Sequence, residues 1–585
     1  MPRSEADTAQ SWTEGMSRYG DIECVLAPDI EANCPKEYDF TIEVPEEVLF
    51  VCREIRALGG KALLVGGSVR DTIINKVWDK HIKFKDFDIE VYGIDPEDLI
   101  RIVRNNYEVK EGRDLVGKSF QVLNIYAGLE YPINISIPRE DSKVGEGHTK
   151  GFVTSSHPEY TIKEAAQRRD ITINSAAYDP LTGILYDPYG AIDAVQRQSI
   201  EVTDKEKFVE DALRVLRIAQ FAARFPDFTI PPETMEFCKK MVSEGMLDEL
   251  SANRVRDEVE KMLTKGEKPS LGMKFLLQIG YIEKYWPEFY NLVDLYQDME
   301  WHPEIYVWEH TLQAMDAAAK IADRENLDDR QRKRLLYAAM GHDLAKLETF
   351  DVITVYECDK LIRNRIVTRG HEEKGGPLTR EFLKKLSPKD EPNAGISLED
   401  REAIVALVES HLKPKYFWQE ATEKNINMSR AIRKYARRLA MKNTNWYMLS
   451  LLAEADQRGR NGKSDIPMER DQVEDLVAWQ LWLAEISSQQ KVVLDAPAHI
   501  CNSDMVKSLV PDRRPGPWIG VIIECVYQDE IDLLVTNPEE AAERAAYYFE
   551  KLNGKILEMV GDNEKKQRSL WDFLKKTEDP RVYFV

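Results

Sequence analysis

The stretch that most constrains this chain is residues 61–93, KALLVGGSVRDTIINKVWDKHIKFKDFDIEVYG. Ala62 to Val65 form an apolar run of strand length, broken by Gly66 and Gly67. Ser68 reads as the cap of a helix running through Ile74. A strand, two glycines and a helix N-terminus present free backbone N–H groups, which suits phosphate. Further on, Asp86-Phe87-Asp88 leads into the apolar IEVYG. Alternation along a strand turns Asp86 and Asp88 to one face. Two such carboxylates repel unless a cation lies between them, and a hard divalent ion such as Mg²⁺ takes oxygen ligands of this kind. A phosphate cradle beside a carboxylate pair predicts metal-assisted phosphoryl or nucleotidyl transfer.

A length of 585 residues allows several domains. No run of eighteen apolar residues exists, so no membrane partner is expected. The opening MPRSEADTAQ has neither a signal core nor a transit pattern, and the seven cysteines include no C-x-x-C pair. The expectation is a cytoplasmic protein with reduced thiols and no thiolate metal site. A net charge of −22 confines any RNA surface to a local basic patch. Residues 1–44 read as a mobile acidic tail. Pro45 opens a helix with Val48, Leu49, Cys52 and Ile55 on one face. Residues 121–137 read as two strands around Gly128, and EDSKVGEGHTKGF after Arg139 as a loop.

LVGGSVRD followed by DFDIEVYG resembles the signature of the class II tRNA nucleotidyltransferase and bacterial poly(A) polymerase family. The resemblance implies that Gly66, Gly67, Ser68 and Arg70 hold a nucleoside triphosphate. RRDITIN matches the family element associated with choosing ribose, here Arg169, Asp170 and Asn174. DPYGAID resembles the family hinge, with Ala191 replacing a second glycine. In KFVEDALRVLRIAQFAARF, helical spacing places Asp211 and Arg214 on one face, with Glu210 and Arg217 nearby. The resemblance implies that these residues read cytosine and adenine in place of a nucleic-acid template. SANRVRDEVEKML is expected to be a neck helix without chemistry. One departure is Asn134, at a place where many relatives carry an acid; Asp86 and Asp88 would then hold metal with the substrate phosphates alone.

Five of the nine histidines fall between residues 300 and 465. His310, His342, Asp343, His371, His411 and Asp456 combine imidazole and carboxylate, a donor set that suits a transition metal such as Ni²⁺, Mn²⁺ or Fe. WEHTLQAMD and AAMGHDLAKLE resemble the HD phosphohydrolase superfamily. That resemblance implies His310, His342, Asp343 and Asp456 as metal ligands, with His371 and His411 holding substrate or a second metal. It also implies phosphatase and 2′,3′-cyclic phosphodiesterase activity. Arg430, Arg433, Lys434, Arg437 and Arg438 recur at helical spacing, as a solvated face or as an RNA-backbone surface.

The expected architecture is multidomain α+β. A nucleotidyltransferase palm (a β-sheet with helices) over 45–200 precedes a base-selecting neck over 201–295, an HD domain over 296–465 and a helical RNA-binding tail over 466–585. The resemblance implies addition of C, C and A to tRNA 3′ ends from CTP and ATP, with no DNA partner and the oligomeric state open. A bacterial poly(A) polymerase, a CC-only or A-only enzyme, and an HD hydrolase with a degenerate transferase head remain alternatives. LVGKSFQVL, with Lys118 as the single basic residue before Phe120, and an end without a basic extension favour CCA addition.

Overall fold

Short apolar strands between residues 36 and 186 build one mixed sheet. In chain order the strands are β1 (Lys36–Glu37), β2 (Lys61–Val65), β3 (Phe87–Tyr92), β4 (Leu115–Val116), β5 (Val122–Ile125), β6 (Ile133–Ser136), β7 (Arg139–Lys143), β8 (Phe152–Ser156), β9 (Ala177–Asp179) and β10 (Ile184–Tyr186). The sheet order is β1-β10-β9-β2-β3-β6-β5-β4, while β7 and β8 form a separate hairpin. β3 runs parallel to β6 and antiparallel to β2. Leu63 and Leu64 on β2, and Ile89 and Val91 on β3, are fully buried, as befits central strands with both faces covered. The helix Glu46–Ala57 follows Pro45 and buries Val48, Val51, Cys52 and Ile55; Leu49 is only half-buried.

These elements come from a computed structural model that describes residues 24–38, 40–82, 86–106, 115–116, 122–125, 129, 131–143, 152–357, 360–387, 395–577 and 579–584. One compact unit covers Met1–Tyr290, and a second covers Asn291–Ser387 with Glu391–Val585. The expected palm and the expected neck up to Tyr290 fall in the first, and the stretches expected as HD domain and tail in the second.

Four expectations need correction. The acidic tail does not extend over residues 24–38. Val25 N donates to Gly93 O at 2.9 Å, Ile162 N donates to Ile30 O at 3.0 Å, and β1 pairs with β10. Ile30 and Cys34 pack with Leu63, Val65, Tyr92 and Tyr186. The segment after Arg139 is in part the β7–β8 hairpin, and residues 144–151 lie outside the described residues. The helix after the glycines starts at Gly67 and runs to Trp78, so Gly66 occupies the cap position and buried Ser68 lies inside the first turn. The helix expected over 207–225 is broken into Lys205–Phe208 and Arg214–Arg224, with a turn between them.

In the second unit the helices Val307–Arg324, Asp329–Gly341, His371–Lys385, Leu398–Val408 and Trp446–Arg458 carry or adjoin the histidine cluster. A hairpin, β11 (Asp351–Glu357) and β12 (Lys360–Val367), is inserted between two of these helices. Downstream, the helices Pro517–Ile531, Pro538–Val560 and Glu564–Lys575 enclose Val521, Ile522, Cys525, Tyr548, Leu552 and Trp571. Among the described residues no helix is long and apolar enough to cross a membrane.

Candidate active sites: a carboxylate corner and a buried histidine cluster

At the end of β2, Gly66 adopts φ +74° and ψ −133°, a conformation that favours glycine. A Cβ there would sit 2.9 Å from Asp88 Oδ2. At Gly67 a Cβ would meet Arg70 Nη2 at 3.8 Å and Asp86 Oδ1 at 3.9 Å. Both carboxylates therefore face the glycine turn, although Asp86 precedes the strand. Asp88 stands opposite Val65 on β2 and Asn134 on β6, and Asn134 Nδ2 donates to Asp88 Oδ1 at 2.9 Å. Burial pushes the Asp88 carboxyl above its ordinary value; Asn134 opposes the shift and Asp86 reinforces it. A half-buried carboxylate raised beside a second one is what a cation would relieve. Ser68 adds a buried hydroxyl with no hydrogen-bond partner among the described residues. The turn thus fits a divalent ion on one side and phosphate on the other.

Glu90, two residues beyond Asp88 on the same strand face, is an acid that sequence reasoning passed over. It is buried and does not join the pair. Arg168 and Arg169 reach its Oε1 at 3.0 and 3.2 Å, and Tyr92 donates to its Oε2 at 2.8 Å. Burial pushes Glu90 up, but the charges of Arg169 and Arg168 outweigh it and hold the carboxyl below its usual value.

Arg70 is buried, with its guanidinium 5.3 Å from the ring centres of both Phe221 and Phe225. It donates to Asp71 Oδ1 at 2.8 Å and to Asn174 Oδ1 at 2.9 Å. Asn174 donates onward to Asp170 Oδ1 at 2.8 Å, and Asp170 Oδ2 accepts from Arg217 Nε at 2.6 Å. One hydrogen-bonded chain therefore ties the glycine turn to the RRD element and to the helix Arg214–Arg224.

Glu210 and Arg214 line a cavity of about 200 Å³ together with Arg139, Tyr160, Arg168 and Lys207. Asp211 does not share that face. It accepts from Leu213 N at 3.1 Å and from Arg254 Nη2 at 2.6 Å. The spacing argument that joined Asp211 to Arg214 needed a helix, and the chain turns there instead. Arg254 lies on the helix Ala252–Lys265, the neck segment expected to stay apart from the site.

In the second unit His310, His342, Asp343 and Asp456 converge. His310 Nε2 lies 3.1 Å from His342 Nε2, 3.0 Å from Asp456 Oδ1 and 3.5 Å from Asp343 Oδ2. His342 Nε2 is 3.2 Å from Asp343 Oδ2. His371 and His411 place their Nε2 atoms 3.3 Å apart, with His371 Nε2 3.3 Å from Asp343 Oδ1. Asp343 thus offers one oxygen to each group of histidines. The Nδ1 atoms of His342, His371 and His411 bond the carbonyls of Ala339, Thr368 and Val408 at 2.7–2.8 Å, which directs their Nε2 lone pairs inward. Burial pushes His411 down to about 3. Burial opposes ionisation of Asp343 and Asp456, but His342 and Lys346 at the first and Arg460 at the second hold both well below the carboxylate range. Burial pushes the His310 imidazole down, but Asp456 and Glu304 hold it up at about 9, a proton that a bound cation would displace. Imidazoles and ionised carboxylates at this spacing fit a divalent metal.

Three neighbours were missed. Glu304 Oε1 is 2.9 Å from His310 Nδ1, Lys346 Nζ is 2.7 Å from Asp343 Oδ2, and Arg460 Nη2 is 3.0 Å from Asp456 Oδ2. Lys346 and Arg460 follow Asp343 and Asp456 by three and four residues, a helical spacing that could have found them.

Of the basic stripe, Arg430, Lys434 and Arg438 are exposed, while Arg433 and Arg437 are half-buried. Arg430 bonds Asp532 at 2.6 Å, Arg433 the Glu530 carbonyl at 2.9 Å, and Arg437 pairs with Glu524 at 2.6 Å.

Three family models match the chain. They are the Poly A polymerase head domain over residues 62–201, the probable RNA and SrmB-binding site of polymerase A over 227–292, and the HD domain over 307–440. The multifunctional CCA protein of Pasteurella multocida is 30% identical over 426 residues, spanning 72% of this chain and 88% of that protein. The chain belongs to the multifunctional CCA protein family. Another member, from Shewanella denitrificans, is 33% identical over 346 residues, 58% of this chain and 73% of its own length. The Bacillus stearothermophilus CCA-adding enzyme, solved with CTP, shares the fold. It is 17% identical with a TM-score of 0.51, over 88% of this chain and 99% of that one.

Proposed function

We propose that this chain adds C, C and A to the 3′ end of tRNA from CTP and ATP in the cytoplasm, and that its second unit hydrolyses phosphate esters. The observation that carries the first part is the Gly66 turn packed on Asp88 beside Asp86. In the transfer, the RNA 3′-oxygen bonds the α-phosphorus, the bond to pyrophosphate breaks, and the hydroxyl proton leaves to solvent. A divalent ion such as Mg²⁺ held by Asp86 and Asp88 would act as Lewis acid toward both oxygens. The backbone N–H groups of Gly66 and Gly67 and the Ser68 hydroxyl receive phosphate oxygens. Arg169, fixed by Glu90, points a cation toward the same corner. Asp170 and Asn174, buried between Arg70 and Arg217, would hold those arginines where the triphosphate and its ribose bind. Glu210 and Arg214 put an acceptor and a donor fork in one cavity, the pair needed to match base edges. The test is a tRNA trimmed of its last three nucleotides, given one nucleoside triphosphate at a time. CTP alone should add two residues, and ATP should add only after them. Incorporation of ATP first would refute the assignment.

The histidine cluster supports a hydrolase with a transition metal such as Ni²⁺, Mn²⁺ or Fe. On a 2′,3′-cyclic phosphate, water oxygen bonds phosphorus, one ring P–O bond breaks, and the released oxygen takes a proton. His310, His342, Asp343 and Asp456 would hold the ion, and His371 and His411 the phosphate or a second ion. Hydrolysis of such an end by wild-type protein, lost on chelation and restored by one of these metals, tests this part; no hydrolysis with any of them would refute it.

A further inference from the structure

The hairpin of β11 and β12 has no part in the chemistry above. Its second strand walls a cavity of about 570 Å³ that reaches His371. Trp301, His302, Arg365, Thr368, Arg369 and His371 line it. The Trp301 side chain is half exposed, and the Arg365 guanidinium carbon stands 5.5 Å from its ring centre. Arg365 Nε is buried without a hydrogen-bond partner, and the Asp298 carboxylate is 3.8 Å away. Arg369 is exposed and has no ion-pair partner among the described residues. His371, whose Nε2 is 3.3 Å from Asp343 Oδ1, therefore joins the cavity lining to the histidine cluster, and Trp301 adds an aromatic face to the same lining.

We propose that this cavity binds the base of a nucleotide whose 2′- or 2′,3′-cyclic phosphate lies at the histidine cluster. The base stacks on Trp301, whose ring Arg365 helps to hold, and Arg369 screens the phosphate. The volume is that of a small-ligand pocket. Stacking on an indole accepts any base, because every base has a π face. Asp298 and Glu372 also line the cavity, which disfavours a polyphosphate and favours a single phosphate on a planar group. The nucleotide is either the last residue of an RNA or a free mononucleotide.

This inference rests on the hydrolase reading, and the experiment separates the two. Full-length protein with Mn²⁺ or Ni²⁺ is given adenosine 2′,3′-cyclic phosphate and, in parallel, the 2,3-cyclic phosphate of methyl riboside, which has no base. Trp301→Ala should lower kcat/KM for the nucleotide about tenfold through KM and leave the base-free substrate and CTP incorporation unchanged. Trp301→Phe should retain most of the nucleotide activity. An equal loss on both substrates, or no loss on either, overturns the proposal. A short RNA ending in a cyclic phosphate is the third arm. A larger Trp301→Ala effect on it than on the mononucleotide assigns the site to RNA ends, and the reverse to free nucleotides. If wild-type protein hydrolyses nothing, the hydrolase reading fails and binding decides. Adenosine 2′-phosphate should then quench tryptophan fluorescence in wild-type protein and do so less in Trp301→Phe; equal quenching overturns the proposal.

Discussion

Gly66→Ala separates a structural glycine from an incidental one. Alanine at φ +74° and ψ −133° occupies a region that is nearly glycine-only, at a cost of about 1–3 kcal/mol. Its Cβ would also stand 2.9 Å from Asp88 Oδ2, closer than real contacts allow, so the carboxylate must shift by several tenths of an ångström. A displacement on the order of 1 Å at a reacting centre costs about 10²-fold in rate, so a shift of several tenths sets a loss of about tenfold. The variant should lose about that much CTP incorporation into trimmed tRNA and show a lower unfolding midpoint. Gly67→Ala is the control. Its Cβ meets Arg70 and Asp86 only at 3.8–3.9 Å, ordinary contact, so its stability should match wild type. Hydrolysis at the histidine cluster reports that the second unit is intact in both variants. Full transferase activity and full stability in Gly66→Ala would refute the reasoning, as would equal destabilisation by the two substitutions.

Asp88→Ala should reduce nucleotide addition by ~10³-fold or more while tRNA binding, read by gel shift, persists. His342→Ala should abolish metal-dependent hydrolysis of cyclic phosphate and leave CTP incorporation within a few-fold; parallel loss of both would show one site where two are argued. Arg254→Ala frees Asp211 and should raise GTP and UTP incorporation relative to CTP and ATP about tenfold, measured by competition, with a smaller change in overall rate. Glu31 is pushed up by burial but held down to about 2 by hydrogen bonds from Lys36, Lys61 and Tyr186. Its depressed value gives a stabilisation present above its unfolded value of 4.5 and lost as pH falls toward 2. Glu31→Gln should therefore flatten the acid limb of stability between those values; an unchanged limb in a pH–denaturation series would contradict this.

The glycine–carboxylate corner was legible because its parts are close in sequence and follow local rules. A strand, a glycine pair and a carboxylate pair need only period two and a turn to assemble. Ser68 was misplaced as a cap because Gly66 takes that position, which polar-cap preferences do not anticipate. Asp211 was misread because helical spacing was assumed across Val209–Leu213, where the chain turns and Arg254, forty-three residues on, supplies the partner. The role of Glu90 is invisible in the strand itself, since its arginines come from residues 168 and 169. The same holds for the basic stripe, whose spacing was readable but whose partners Glu524 and Asp532 lie about ninety to a hundred residues away. Residues 24–38 lacked any period because they enter the fold through a two-residue edge strand and scattered backbone bonds. Lys118, the single basic residue before Phe120 that favours CCA addition over polyadenylation, lies outside the described residues.

The most direct test of the central claim is the sequence of product ends after wild-type protein, Mg²⁺, CTP and ATP act on tRNA lacking its last three nucleotides. The account predicts C, C and A in that order, followed by a stop, and no product from Asp86→Ala. Long A-tails on an unstructured RNA made faster than tRNA repair, or trimmed tRNA left unextended, would contradict it.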